Sequence, residues 1–219
     1  MIITRQKPFG EILDFIKNDR NIFLVGCAVC ATTCKTGGED QIKAAAENIR
    51  KAGKTVVGWA VLDPACSRLE IKKFRRKEQN NVDKADAILS LACGGGTQAV
   101  TAVFEDKNVY PANDTLFQGE ITEMTIKRAK FDEKCSLCGE CMLQFTGGIC
   151  PVTRCPKSLV NGPCGGVKKG KCEIDTDMDC TWTLIYERLK GLNRLGELKK
   201  IRAPKNHSGD KRPRTLVVK

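Results

Sequence analysis

Eight cysteines fall within residues 135–180 of a chain that has a single histidine, His207. That stretch is crowded with glycine and proline and has no apolar periodicity. It cannot close over a core of its own and needs cross-links or metal to hold a shape. The chain carries thirteen cysteines, an odd number, so complete disulfide pairing within one chain is impossible. Residues 1–8 lack the apolar run and small-residue cleavage site of a secretory signal, so a cytoplasmic location is expected. Thiols stay reduced in that compartment, and clustered cysteines there point to metal binding or catalysis. With the one histidine in a polar tail, zinc held by two cysteines and two histidines is disfavoured. All-thiolate zinc and iron–sulfur clusters remain.

The first 120 residues have a different texture. A helical stripe of Phe9, Ile12, Leu13, Phe15 and Ile16 is followed by a buried-strand run at 22–25. An alanine-rich helix at 39–51 stops at Gly53. Strands are expected at 56–62 and 87–92, and helices at 67–77 and 97–104. Val109 and Tyr110 open a fourth strand. Strand–helix alternation of this kind predicts an α/β fold, a parallel sheet with helices on its faces. Three stretches are expected: an α/β domain at 1–128 with a first metal site, a small cysteine-rich, ferredoxin-like cluster segment at 129–181, and a helix with a basic tail at 182–219. The helix shows one apolar face through Trp182, Ile185, Leu189, Leu192 and Leu195.

The formal net charge is +11, and residues 187–219 hold eleven Lys/Arg against three Asp/Glu, which leaves +8 there. No aromatic residue interleaves with that basic run, so base stacking is not supported and nucleic acid is not the expected partner. Docking on an acidic protein suits the tail better. No apolar run reaches the ~20 residues of a membrane-spanning helix.

Two cysteine constellations carry the chemistry. Cys27-x2-Cys30-x3-Cys34 follows the first core strand, and Thr36, Gly37 and Gly38 come directly after it. A fourth ligand is available from Cys66 after the second strand or Cys93 after the third, with Cys93 preferred. In a parallel sheet the carboxyl ends of the strands share one edge, so these cysteines belong together. Cys66 and Cys93 also read as small buried hydrophobes. The second constellation, Cys135-x2-Cys138-x2-Cys141, has the ferredoxin spacing for a [4Fe–4S] cluster. Cys150-Pro151 and Cys155-Pro156 both offer its closing ligand, and Cys164, Cys172 and Cys180 leave thiols for a further site. Two [4Fe–4S] clusters are expected, with four-thiolate zinc as the alternative.

Gly94, Gly95 and Gly96, with Ala99, resemble a dinucleotide fingerprint, and Asp114 lies about 20 residues on. Close packing of backbone against a cluster explains the same glycines. No histidine base, P-loop or carboxylate pair accompanies them. Asp63, Glu120 and Glu123 read as ordinary surface acids, so no catalytic residue is expected.

Long motifs then resemble a known family. They are the block from Ile3 to Pro8, the run from Val25 to Glu39, and the segment holding Cys138-Gly-Glu-Cys, Thr146-Gly-Gly-Ile-Cys-Pro, Cys155-Pro-Lys and Asn161-Gly-Pro-Cys-Gly-Gly. Together they are similar to the methylenetetrahydrofolate reductase C-terminal family. The resemblance implies a non-catalytic subunit in a hetero-oligomer of one-carbon metabolism, with iron–sulfur clusters or zinc. Its implied partner is a flavin-bearing barrel subunit that reduces methylenetetrahydrofolate, with ferredoxin or another donor subunit supplying electrons. Cys27, Cys30, Cys34, Cys66, Cys93, Cys135, Cys138, Cys141, Cys150, Cys155 and Cys164 match family cysteines; Cys172 and Cys180 match less closely.

Overall fold

The computed structural model describes residues 1–125 and 128–218. Ile126 and Lys127, inside the first expected stretch, and Lys219, at the end of the basic tail, lie outside the described residues. The chain divides into two compact units. One comprises Met1–Phe117 and Ile121–Phe131, the other Gln118–Glu120 and Asp132–Lys219.

The first unit is built on a four-stranded parallel sheet. Its strands are β2 (Asn21–Cys27), β3 (Thr55–Leu62), β4 (Ala87–Leu91) and β5 (Asn108–Pro111), in the order β3-β2-β4-β5. Beside them lie α1 (Phe9–Phe15), α2 (Cys30–Thr33), α3 (Glu39–Lys51), α4 (Arg68–Lys77), α5 (Gln79–Asp83) and α6 (Gly94–Thr101). A second sheet, β1-β6-β7, is formed by β1 (Ile2–Gln6), β6 (Asn113–Met124) and β7 (Ala129–Cys135). Sequence reading missed β1 because its five residues are half polar. It assigned no strand to the segments that form β6 and β7, where exposed polar and charged residues interrupt the apolar pattern.

Alternation along β2 sorts the core onto two faces. Ile22 and Leu24 pack with Ile12 and Ile16 near α1 and with Ile42, Ala45 and Ile49 of α3. Phe23, Val25 and Cys27 point the other way, toward Ile71 of α4 and Ala99 and Val100 of α6. The period of two sends each successive side chain to the opposite face, so a run buried on both faces marks a central parallel strand. Helix α3 forms as its charges suggest, with Glu39 and Asp40 in its first turn and Arg50 and Lys51 in its last. The Gln41 side chain accepts from the Gly38 amide at 3.1 Å. Lys54 then donates to the carbonyls of Ile16, Lys17 and Asp19 at 2.7, 3.1 and 2.7 Å, closing the segment after α1.

The second unit has far less to bury. Its 88-residue main stretch contains two helices, α7 (Pro151–Arg154) and α8 (Thr181–Gly191), and short 3-10 turns. Its apolar cluster centres on Trp182, Ile185 and Leu189, with Ile149, Cys180 and Leu195 around them. Trp182 Nε1 donates to the Leu159 carbonyl at 2.9 Å. A core this small does not offset the chain entropy of so many residues. Among the described residues no helix is long and apolar enough to cross a membrane.

Asp86 ties the starts of β2 and β4 together by accepting from the amides of Asn21 and Arg20 at 2.7 and 2.9 Å. Those bonds hold its carboxyl below the usual carboxylate range, with the Asn21 amide contributing most. A depressed pKa means that the stabilisation is full above the unfolded value, ~3.9, and is lost as pH falls through the folded one. Asp86→Ala should cost about 1 kcal/mol at neutral pH once exposure is discounted, or roughly 2–4 °C in Tm. The gap to the parent should close in melts taken well below pH 4.

Candidate functional site

The pairing of β2 on both sides places the first cysteine group. Cys27 is in register with Leu62 of β3, and Gly26 is in register with both Val61 of β3 and Leu91 of β4. Chain order reverses at this point, since β3 lies on one side of β2 and β4 on the other, which makes the crevice at these strand ends the natural ligand position of an open α/β sheet. Cys66 follows the end of β3 by four residues, and Cys93 follows the end of β4 by two and caps α6. The residues before them pack on one glycine: a Cβ at Gly96 would meet Ala92 Cβ at 2.8 Å and Ala65 Cβ at 3.5 Å. That glycine lets the first turn of α6 settle between the two cysteine-bearing loops.

Cys30 and Cys34 flank the single turn of α2. The Ile2 amide donates to Cys30 Sγ at 3.5 Å, and Cys34 Sγ donates to the Ile2 carbonyl at 3.8 Å. Strand β1 therefore brackets the cysteine turn, helped by the 2.6 Å contact between the Thr4 and Thr36 hydroxyls. Gly37 crosses the strand ends: its carbonyl accepts from Cys27 N at 3.0 Å. A side chain there has no room, since a Cβ would fall 1.7 Å from the Leu91 carbonyl oxygen. The Cys66 thiol is held above its ordinary range, first by desolvation and then by the nearby Cys27, Cys93 and Cys30. Thiolates gathered in this way repel one another, and a bound cation is the charge that relieves them.

The glycine run expected to bind a cofactor is committed in part. The Gly94 amide donates to Thr115 Oγ1 at 2.7 Å, and Gly95 lies against Cys93 Sγ. Asp114 is engaged by Lys7 at 2.7 Å and Arg5 at 3.8 Å, with the Lys7 hydrogen bond holding its carboxyl below the usual range. Glu120 and Glu123 pair with Lys134 and Arg128 at 3.2 and 3.9 Å.

In the second unit four cysteines converge. Cys155, Cys164, Cys172 and Cys180 line one cavity of about 20 Å³, with Glu173 and Trp182 at its wall. A small hairpin sets two of them: Lys171 bridges both Lys168 and Asp179, Cys172 N donates to Met178 O at 2.9 Å, and Cys180 N donates to Gly170 O at 2.8 Å. Cys164 Sγ lies 3.2 Å from Glu173 Oε1, which also pairs with Lys157. Sequence reading had Cys155 as one of two ways to close the Cys135 motif; the fold instead draws it toward Cys164, Cys172 and Cys180. Sequence reading left Cys164, Cys172 and Cys180 for a further site but not Cys155 with them, because the hairpin has too few residues and no apolar pattern to show what packs beside it.

Cys135 ends β7, and the chain bends from there through Cys138 to Cys141; Cys135 and Cys141 are exposed and Cys138 is half-buried. Cys135 Sγ accepts from the Leu137 amide at 3.4 Å, and Cys138 Sγ donates to the Glu140 carbonyl at 3.6 Å. Cys150 Sγ lies 3.6 Å from Thr153 Oγ1. All thirteen cysteines are free thiols. Among the described residues no group of three or more His, Cys, Asp or Glu side chains has metal-binding geometry. The soft, reduced donor set nonetheless suits zinc or iron–sulfur chemistry at the two places where the fold gathers it. Gly37→Ala should force the backbone at the strand ends apart. It should cost about 1–3 kcal/mol and lower Tm by several degrees in a thermal melt.

No curated protein and no solved structure matches the chain. Residues 110–208 match the family model described as methylene-tetrahydrofolate reductase C terminal, so the segment that holds the second cysteine group is similar to a region associated with that oxidoreductase.

Proposed function

We propose that this protein is an electron-carrying subunit of a methylenetetrahydrofolate reductase complex. It resembles MetV, the small subunit of the acetogen enzyme. The observation that carries the reading is the convergence of Cys27, Cys30, Cys66 and Cys93 on the carboxyl edge of the parallel sheet. Cys27, Cys30, Cys34 and Cys93 would hold one [4Fe–4S] cluster there, with Cys66 beside it. Since Cys155 lies with another group, Cys150 is left to close Cys135, Cys138 and Cys141 around a second cluster. When bound, such clusters supply one-electron carriers whose potential follows burial and hydrogen bonds to sulfur. This chain's own contribution is to orient the thiols and aim amides at them, as the Ile2 and Leu137 amides do. The match over residues 110–208 supports a place in the reductase assembly. There a partner's flavin would accept the electrons and reduce methylenetetrahydrofolate, and ferredoxin or another donor subunit would supply them. A cytoplasmic setting, where thiols stay reduced, is part of the same reading.

The volume of the second-unit cavity favours a second reading. About 20 Å³ between four cysteines is the size of a single ion. A four-thiolate zinc at Cys155, Cys164, Cys172 and Cys180 would staple a unit whose apolar cluster is small, and the protein would then be a scaffold without redox work.

Anaerobic purification followed by metal and sulfide analysis separates the two. The electron-transfer reading expects about eight irons and eight sulfides per chain, with a paramagnetic signal on reduction. Cys93→Ser should remove about half of that iron and leave the second unit's metal in place. Zinc without iron would overturn the electron-transfer reading. If zinc staples the second unit, a strong chelator should shift Trp182 fluorescence while the first unit keeps its melting transition.

A further inference from the structure

The basic tail is expected from sequence to reach for a partner, yet its contacts run back to the Cys135 motif. Lys205 Nζ donates to the Cys138 carbonyl at 3.3 Å, and Arg214 donates to the Leu137 carbonyl at 2.7 Å. The Asn206 amide donates to the Glu140 carboxylate, and Arg214 also holds the Gly209 carbonyl. Between these anchors, residues 207–210 form a 3-10 turn capped by the Asn206 side chain, which accepts from Ser208 N at 2.9 Å. His207 and Asp210 pair across the turn at 2.9 Å.

Two glycines make the seam. A Cβ on Gly139 would lie 2.7 Å from Gly209 Cα, and a Cβ on Gly209 would lie 2.9 Å from Gly139 Cα. Gly139 also sits at φ +82°, and its neighbour Leu137 adopts φ +58°, a backbone state that few side chains favour. The loop between the cysteines is thus bent into a costly shape, and the tail holds it there. Its carbonyls turn outward to the cations of the tail while the Leu137 amide turns to Cys135 Sγ.

We propose that residues 205–214 are a strap that fixes the backbone of the Cys135–Cys138–Cys141 loop and sets the access to Cys138, the half-buried thiol of the three. Lys205, Gly209 and Arg214 are positioning residues acting through the loop backbone. Closed, the strap fixes the loop and covers Cys138 in part, while Cys135 and Cys141 stay exposed; released, it frees the loop for loading or loss. The metal-holding part of this rests on the reading of the previous subsection. The strap itself rests only on the contacts above.

The test uses the full chain, a double variant Lys205→Ala/Arg214→Ala, and a chain ending after Ala203. Each is treated with N-ethylmaleimide under argon, and modification at each cysteine is followed by peptide mass spectrometry. Both altered proteins should react roughly tenfold faster at Cys138, the factor for loss of one net hydrogen bond to a charged group, with the exposed Cys135 and Cys141 changing far less. Cys27, Cys66 and Cys93 should be unchanged, which also reports that the chain is folded. Arg214→Lys in the single-site background should recover part of the protection. Deuterium exchange at the amides of residues 136–141 should rise in parallel. An equal rate at Cys138 with and without the tail, or unchanged amide exchange at residues 136–141, would overturn the strap. A protein that proves free of iron would defeat the electron-transfer reading but leave this comparison intact, because thiol access and amide exchange need no metal. Where metal is bound, its release to a chelator should quicken by a similar factor.

Discussion

Strand β2 is hydrogen-bonded on both sides, and the position of the first cysteine group depends on that. A strand paired in parallel with β3 and β4 cannot slide against either without turning its buried side chains to the wrong face. The register therefore fixes where Cys27 ends up and which loops start beside it. Gly37 completes the arrangement by crossing the strand ends in space that no side chain can share. The rigid sheet supplies the precision, and the loops supply the thiols, the usual division between scaffold and site.

The second unit reaches order by other means. Its apolar cluster is small, and what shapes it is a set of local backbone devices. These are a hairpin that sets Cys172 against Cys180, glycines at positive φ at 147, 148 and 165, and cationic side chains seated on carbonyls. Arg188 and Arg194 reach the carbonyls of Gly147 and Gln144 at 3.4 and 2.6 Å, and Lys205 and Arg214 do the same at the Cys135 motif. Much of the excess positive charge of residues 187–219 thus serves as internal hydrogen-bond donors. Net charge alone made that segment look like a surface for another molecule. A lysine that caps a carbonyl and one that awaits a partner contribute the same +1 to composition.

The α/β character of the first half was legible. The runs at 22–25 and 87–91 are buried strands because residues on both of their faces are apolar, the run at 56–62 is a half-buried edge strand, and Glu39–Lys51 is a helix because its apolar and acidic residues fall at helical spacing. The strand β1 was not legible, since two apolar residues followed by three polar ones carry too little signal without their neighbours. Nor was the fate of Cys155, one of two Cys-Pro cysteines that could close the ferredoxin-like motif, which the chain carries to another group.

By itself, the sequence determined the inventory of donors: thirteen thiols, one histidine, and glycines close to the cysteine motifs. It also determined the parallel sheet, because a period of two or of nearly four residues is a local property that survives without the rest of the fold. Only the tertiary structure decided which thiols meet. Spacing along a chain limits partners a few residues apart, but Cys27, Cys66 and Cys93 are brought together by strand order, and Cys155 and Cys180 by a hairpin and the seat of α8. The hairpin itself sets only Cys172 and Cys180, and Cys155 reaches them from α7. Those are choices of long-range packing, where many weak contacts compete and no single residue type announces the outcome.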